Sequence, residues 1–197
     1  MTDIETIAPA GYPAAILKGD VVGVAFEGVR QRLKALFPET IFKHVILPPH
    51  ASRTTWDTFI KDAPCVAVGM GSWQACQRAS NTFVGDLTFS LAVLQTMSNP
   101  DDLYLGTGQP QAIGVAGIMA AVAGALNGWT LKGVGSCRVG AITLPNTENW
   151  FEDKSVLIAV ELVFEGVKLD NTLALAELEQ FMAGQTAVQV KKESGDE

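Results

Sequence analysis

The stretch FVGDLTFSLAVLQTM, residues 83–97, decides the fold. Phe83, Leu87, Phe89, Leu91, Val93 and Met97 share one parity, and Asp86, Thr88, Ser90, Thr96 and Ser98 the other. That period of two belongs to a strand with one face buried and one wetted. A second strand reads in SVLIAVELVFE, residues 155–165. There Val156, Ile158, Val160, Leu162 and Phe164 point one way, while Ser155, Glu161 and Glu165 point the other. Working outward, Cys65-Val66-Ala67-Val68 is an apolar strand opened by Pro64 and broken by Gly69 and Gly71. Residues 71–82 read as the polar tip of a long hairpin. Ile41–Leu47 is a short β-rich run stopped by Pro48-Pro49, and Val134–Leu144 alternates moderately until Pro145-Asn146.

Helical spacing appears at three main places. Val22, Phe26, Val29, Leu33, Leu36 and Phe37 recur at intervals of three and four, so a helix is expected after an Asp20 N-cap and before Pro38. Trp56, Phe59 and Ile60 mark a short helix. After the turn cluster Asn99-Pro100-Asp101-Asp102, Pro110 suits the first turn of another helix. That helix has a bulky face (Val115, Met119, Val122, Leu126) and a small one (Gly114, Gly117, Ala121, Gly124) suited to close backbone approach. Asn127-Gly128 would end it. A last helix, capped by Asp170 or Asn171, carries Leu175, Leu178 and Met182 and stops at Gly184. Strands that do not alternate regularly with helices argue against a doubly wound sheet. The expected class is α+β: an antiparallel or mixed sheet with helices packed on one face. Residues 1–20 read as an N-terminal arm, 21–170 as the domain, and 171–197 as a C-terminal helix with a charged tail.

Composition narrows the function. The chain has 197 residues, 48% apolar and 18% charged, so it can bury a core and is not globally disordered. Fourteen Lys and Arg stand against 21 Asp and Glu, a net charge of −7, the reverse of what phosphate neutralisation requires. Met1–Ala10 lacks the basic start and apolar centre of a secretory leader. Ala112–Leu126 is too short and too rich in Gly and Ala to span a bilayer. No membrane association is expected. Cys65, Cys76 and Cys137 are odd in number and far apart, which points to reduced thiols rather than disulfides or zinc.

The search for a reaction centre yields candidates without partners. His44 lies in a strand-like run and His50 follows two prolines, neither with a ligand at metal spacing. Gly69-Met70-Gly71 and Gly106-Thr107-Gly108 fail the dinucleotide pattern, because Gln74 and Gln111 stand where its third glycine belongs. The second pair does precede a helix start, where an anion can sit. Ser72 and Ser136 have no evident base, Cys137 reads as a small core residue, and Glu161 and Glu165 form no acid–base couple. No catalytic residue, cofactor site or metal site is assigned. Four tryptophans, Trp56, Trp73, Trp129 and Trp150, are the large anchors; the Trp150-Phe151 pair suits a partner contact or the end of a core.

A set of strands, a small-faced helix and acidic loops suits an interaction protein. The layout resembles the tail terminator proteins of Mu-like and other contractile-tailed phages. The similarity runs from Val21 to Phe164. It is carried by Arg30-x-Arg32-Leu33 in the first helix, the strand Ala63-Pro64-Cys65-Val66-Ala67-Val68, the strand Leu87–Val93, the helix end Ala125-Leu126-Asn127-Gly128, Arg138-Val139-Gly140, and the closing strand Val156–Phe164. The resemblance implies a subunit that assembles as a ring, typically a homo-hexamer. Such a ring sits in the virion, at the head-proximal end of the tail, after assembly in the host cytoplasm. It stops tube and sheath polymerisation and meets the tail tube, sheath and neck or head-completion proteins. DNA passes through its lumen without specific binding. The segments 69–81 and 146–154 are expected at contacts, and an acidic lumen would ease DNA passage by like-charge repulsion. Two other readings stand beside it: a different neck or connector protein, and a small α/β enzyme binding an anion near Gly106–Gly108.

Overall fold

The structure, a computed structural model, describes residues 17–76, 83–145, 154–169, 179, 180, 182 and 183. Most of the expected N-terminal arm, the hairpin tip at 77–82, the 146–153 segment with Trp150 and Phe151, and most of the C-terminal helix and tail lie outside the described residues.

Helix α1 spans Asp20–Leu36. Ala25, Val29 and Leu33 are buried along it, and Val22, Phe26 and Leu36 pack beside them, so the predicted stripe is the core-facing one. Its start differs from expectation. Gly19, not Asp20, is the N-cap, with φ of 73°, and Asp20 is the first helical residue, at φ 45°. Glycine adopts that left-handed turn without the Cβ penalty that a capping Asp would meet. Phe37 closes the helix by donating its N–H to the Leu33 carbonyl at 2.8 Å, and Pro38 prevents continuation.

Six strands form one mixed sheet: β1 (Lys43–Ile46), β2 (Cys65–Ala75), β3 (Val84–Thr96), β4 (Thr130–Leu131), β5 (Gly135–Thr143) and β6 (Ser155–Lys168), in the order β1-β2-β3-β6-β5-β4. Only β1 and β2 run parallel; the other neighbouring pairs are antiparallel. The sheet curls as a half-barrel, and the chain is α+β. Two further α-helices pack on the sheet: α2 (Arg53–Lys61), capped by the Ser52 hydroxyl accepting from the Thr55 N–H at 3.3 Å, and α3 (Val115–Leu126).

The main core lies between one sheet face and helices α1 and α3. Leu87, Phe89, Leu91 and Val93 of β3 and Ile158, Val160, Leu162 and Phe164 of β6 meet Val29, Leu33, Ile118, Val122 and Leu126. Phe164 is the hub, 6.0 Å from the Phe89 ring and 5.9 Å from the Trp129 ring, both edge-on. A smaller cluster occupies the other face, where Phe59 and Trp56 of α2 cover Cys65, Ala67, Ala92, Leu94 and Leu157. The helices therefore divide between both faces, and Ala92 and Leu94 are buried although they sit on the parity expected to be wet.

Four further expectations are corrected. Gly69 and Gly71 do not break β2; it continues to Ala75 through a bulge between Met70 and Ser72. At Gly69 a Cβ would stand 2.6 Å from the Leu47 carbonyl oxygen, so the glycine admits the end of β1 instead of ending a strand. Phe83 lies just outside β3 and is 66% exposed, because the register shift between Gly85 and Leu87 breaks the parity there. Pro110 opens a separate 3-10 turn, Pro110–Ala112, three residues ahead of α3's own approach through Ile113 and Gly114. The small face of α3 admits backbone only at its start: a Cβ at Gly114 would stand 2.4 Å from the Gly106 nitrogen, whereas one at Gly124 would touch nothing within 4 Å and one at Gly117 only the Ile113 side chain. A close approach that the reading did not foresee occurs in α1, where a Cβ at Gly28 would stand 2.5 Å from a Leu131 methyl of β4. Strand β4, two residues long, is too short to give a sequence signal.

Candidate functional site

Among the described residues the second sheet face is only partly covered. Beside α2 it opens into a groove of about 610 Å³. Trp56 and Leu47 form one wall, and Thr143 and Pro145 stand at the β5 side. Its floor is small because register aligns small residues across β3 and β6, where Ala92 faces Ala159. Ala141 and Ser90 extend it. Glu161 is the ionisable residue among the described lining, and its carboxylate leans over Gly140, where a Cβ would stand 2.7 Å from Oε1. Further along this face Arg138 Nε donates to Glu165 Oε1 at 2.7 Å, and that bond holds the guanidinium more firmly protonated than usual.

The turn between β3 and α3 is the other notable surface. Tyr104 is 64% and Leu105 83% exposed, yet the backbone beneath them is tightly bonded. Gly106 N–H donates to the Asp102 carbonyl at 2.7 Å, Val115 N–H to Leu103 at 2.9 Å and Ala116 N–H to Tyr104 at 3.0 Å. Gly106 has φ of 74° and pairs with Ile113 as an isolated bridge. Side chains reinforce the turn: Asn99 Oδ1 accepts from the Asp101 N–H at 3.3 Å, and the fully buried Gln95 donates from Nε2 to the Gln111 carbonyl at 3.3 Å.

This bonding bears on the anion reading of Gly106–Gly108. The Val115 and Ala116 N–H groups, which open α3, are already donated to the turn's own carbonyls, so the helix start presents two fewer donors to an anion. The other predicted candidates scatter. His44, in β1, places Nε2 2.7 Å from the Phe37 carbonyl oxygen, and His50 is exposed in the β1–α2 connection. Ser136 pairs with the Thr130 hydroxyl at 2.9 Å across the β4–β5 hairpin, and Ser72 sits exposed on β2. Cys65 and Cys137 are buried; desolvation pushes their thiols up to about 12 and about 11. Cys76 is half-buried, with its thiol 3.7 Å from Asp86 Oδ1. Among the described residues, no three His, Cys, Asp or Glu side chains gather where a metal ion would sit, and no helix is long and apolar enough to cross a membrane.

Two features escape the sequence reading. Arg32, though exposed, is engaged across the fold: its Nε and Nη2 donate to the Ala125 carbonyl at 3.1 and 3.0 Å, and its guanidinium lies 5.7 Å from the Trp129 ring centre. It thereby caps the C-terminal end of α3 and ties it to α1. The groove itself was invisible because its lining comes from five separate segments. The alternation of Ala92, Ala159 and Ala141 with bulky residues is the only trace, and alternation alone does not say which face lacks a cover. No family model matches the chain, and no curated protein matches it.

Proposed function

We propose that this chain is a structural subunit of a phage tail, a terminator that closes as a ring on the head-proximal end of the tail tube. There it halts polymerisation and offers the surface for head joining. The reading rests on the resemblance of its element order to that family. The observation that carries it is the unequal covering of the sheet among the described residues: one face sealed by α1 and α3, the other bearing an apolar groove, with β1 at the edge of the strand order. A subunit that builds a larger wall needs such uncovered surface, and a head-to-tail contact that closes yields a ring.

Deletion of the gene followed by electron microscopy of the tails tests the proposal. Abnormally long or headless tails are expected. Tails of normal length joined to heads would reject it in favour of a different role. The acidic-lumen idea belongs to the same proposal: neutralising lumen-facing acids should slow genome ejection, and an unchanged rate removes it.

A further inference from the structure

We propose that Lys18–Gly23 is a two-state elbow: bent in the structure, and able to straighten so that α1 runs back without a break into the helical residue Leu17. The elbow governs how the chain enters α1 and does not rest on the reading of the chain as a tail subunit.

Three observations meet at the elbow. Two successive residues are left-handed, Gly19 at φ 73° and Asp20 at φ 45°. Glycine adopts that conformation freely, whereas the Cβ of Asp20 is penalised there. Gly23, one turn further on, has no room for a side chain in the bent state, because a Cβ would collide with the Lys18 carbonyl. Among the described residues that carbonyl is the whole of the obstruction outside the adjoining helix backbone: no other atom lies within 4 Å of such a Cβ. The third observation is the open start of the helix. Leu17 is helical. Yet among the described residues no backbone bond joins the Val21 N–H to Leu17 or the Val22 N–H to Lys18, as a continuous helix would require. The ladder begins only where the Gly23 N–H donates to the Gly19 carbonyl at 3.0 Å.

The two states trade comparable costs. The bent one holds a strained Asp20 and leaves the Val21 and Val22 donors without helical acceptors. The straight one relieves both, and sets Gly19 and Gly23 in a helix interior, where glycine is the least favoured residue after proline. Ala25, Val29 and Leu33 lie beyond the elbow, so the core keeps its packing in either state. Straightening places Leu17, now 69% exposed, one turn before Val21. That is the head of the line which Val21, Ala25, Val29 and Leu33 follow at intervals of four. One subunit thus has two outlines at the entry of α1, with Leu17 exposed in one and aligned with the core stripe in the other.

Amide hydrogen exchange on the full chain, read residue by residue by NMR beside urea unfolding, tests the elbow. Gly23→Ala blocks the bent state and favours the helix. Gly19→Ala puts a Cβ on a left-handed residue and favours the helix as well. Both chains are expected to unfold cooperatively. Their Val21 and Val22 amides should exchange about tenfold more slowly than in the unaltered chain, the factor that one left-handed side chain is worth. Asp20→Gly relaxes the bent state and should leave those amides as fast as in the unaltered chain, or faster. A folded Gly23→Ala or Gly19→Ala chain whose Val21 and Val22 amides exchange within about twofold of the unaltered rate would overturn the proposal and make the bend rigid. Failure of both variants to fold would overturn it too, because a chain able to straighten has room for either methyl group.

Discussion

The two faces of the sheet use the same strands differently. On the α1–α3 face, β3 and β6 present Leu87, Phe89, Leu91, Ile158, Leu162 and Phe164, and helices bury them all. On the other face the same strands present Ser90, Ala92, Ala159 and Glu161, and α2 covers only one end. Bulky side chains demand cover within the chain, since each buried one contributes about 1.5–3 kcal/mol. Small ones tolerate exposure at little cost. Among the described residues, the first face therefore carries most of the buried bulk, and the second is covered by α2 at one end.

Substitutions that separate stability from assembly can break this contrast. The largest effect is expected at the hub. Phe164→Ala removes a ring that contacts Phe89 and Trp129 and should cost about 3–5 kcal/mol in urea unfolding. A loss under 1 kcal/mol would mean that the sealed face is not the stabilising one.

Alkaline pH probes the same interior. Cys137, on the sealed face, has its folded thiol raised from 9.0 to about 11 by burial. Its contribution is intact below pH 9, where both folded and unfolded thiols are neutral. Above pH 9 the unfolded chain ionises first, so stability should fall by about 2 kcal/mol by pH 11. Cys137→Val should flatten that part of the profile compared with the unaltered chain. An identical slope in both would show that the thiol is not desolvated.

The next effect is at the tie between helices. Arg32→Ala should cost about 1 kcal/mol through loss of the bonds to the Ala125 carbonyl and the stacking on Trp129. Arg32→Lys should recover little, because an ammonium cannot reproduce the planar fork. Recovery by Lys in thermal melts would reduce the contact to charge alone.

Gly124→Ala should stabilise the subunit by about 0.5–1 kcal/mol, since a Cβ there meets nothing within 4 Å and helix propensity alone changes. Destabilisation, read by differential scanning calorimetry, would mean that the small face of α3 packs after all. The smallest effect belongs to the open face: Ala141→Ser should stay within about 0.5 kcal/mol. A larger loss would make the groove part of the core.

Strands and helices were legible wherever burial imposes a period. Val29 and Leu33 on α1, the Leu87–Val93 parity and the Val156–Phe164 run all read correctly, because a side chain's direction follows its position along a regular backbone. Misreadings arose where a distant segment decides the local outcome. Gly69 reads locally as a strand breaker, whereas its missing Cβ makes room for Leu47. Leu94 and Ala92 share the parity of Thr88 and Ser90 and are buried only because α2 lies over them. Pro110 suits a helix start, yet Ile113 pairs with Gly106 as an isolated bridge and Pro110 opens only a 3-10 turn.

The amino-acid order by itself determined the class of elements, their approximate limits and the acidic, reduced-thiol character of the chain, since each depends on neighbours a few residues away. The tertiary structure alone decided which helix covers which face, that Arg32 binds the end of α3, and that a groove remains beside Trp56. Those depend on contacts between segments separated by tens of residues, and nothing in a local period encodes which surface will be left without a cover.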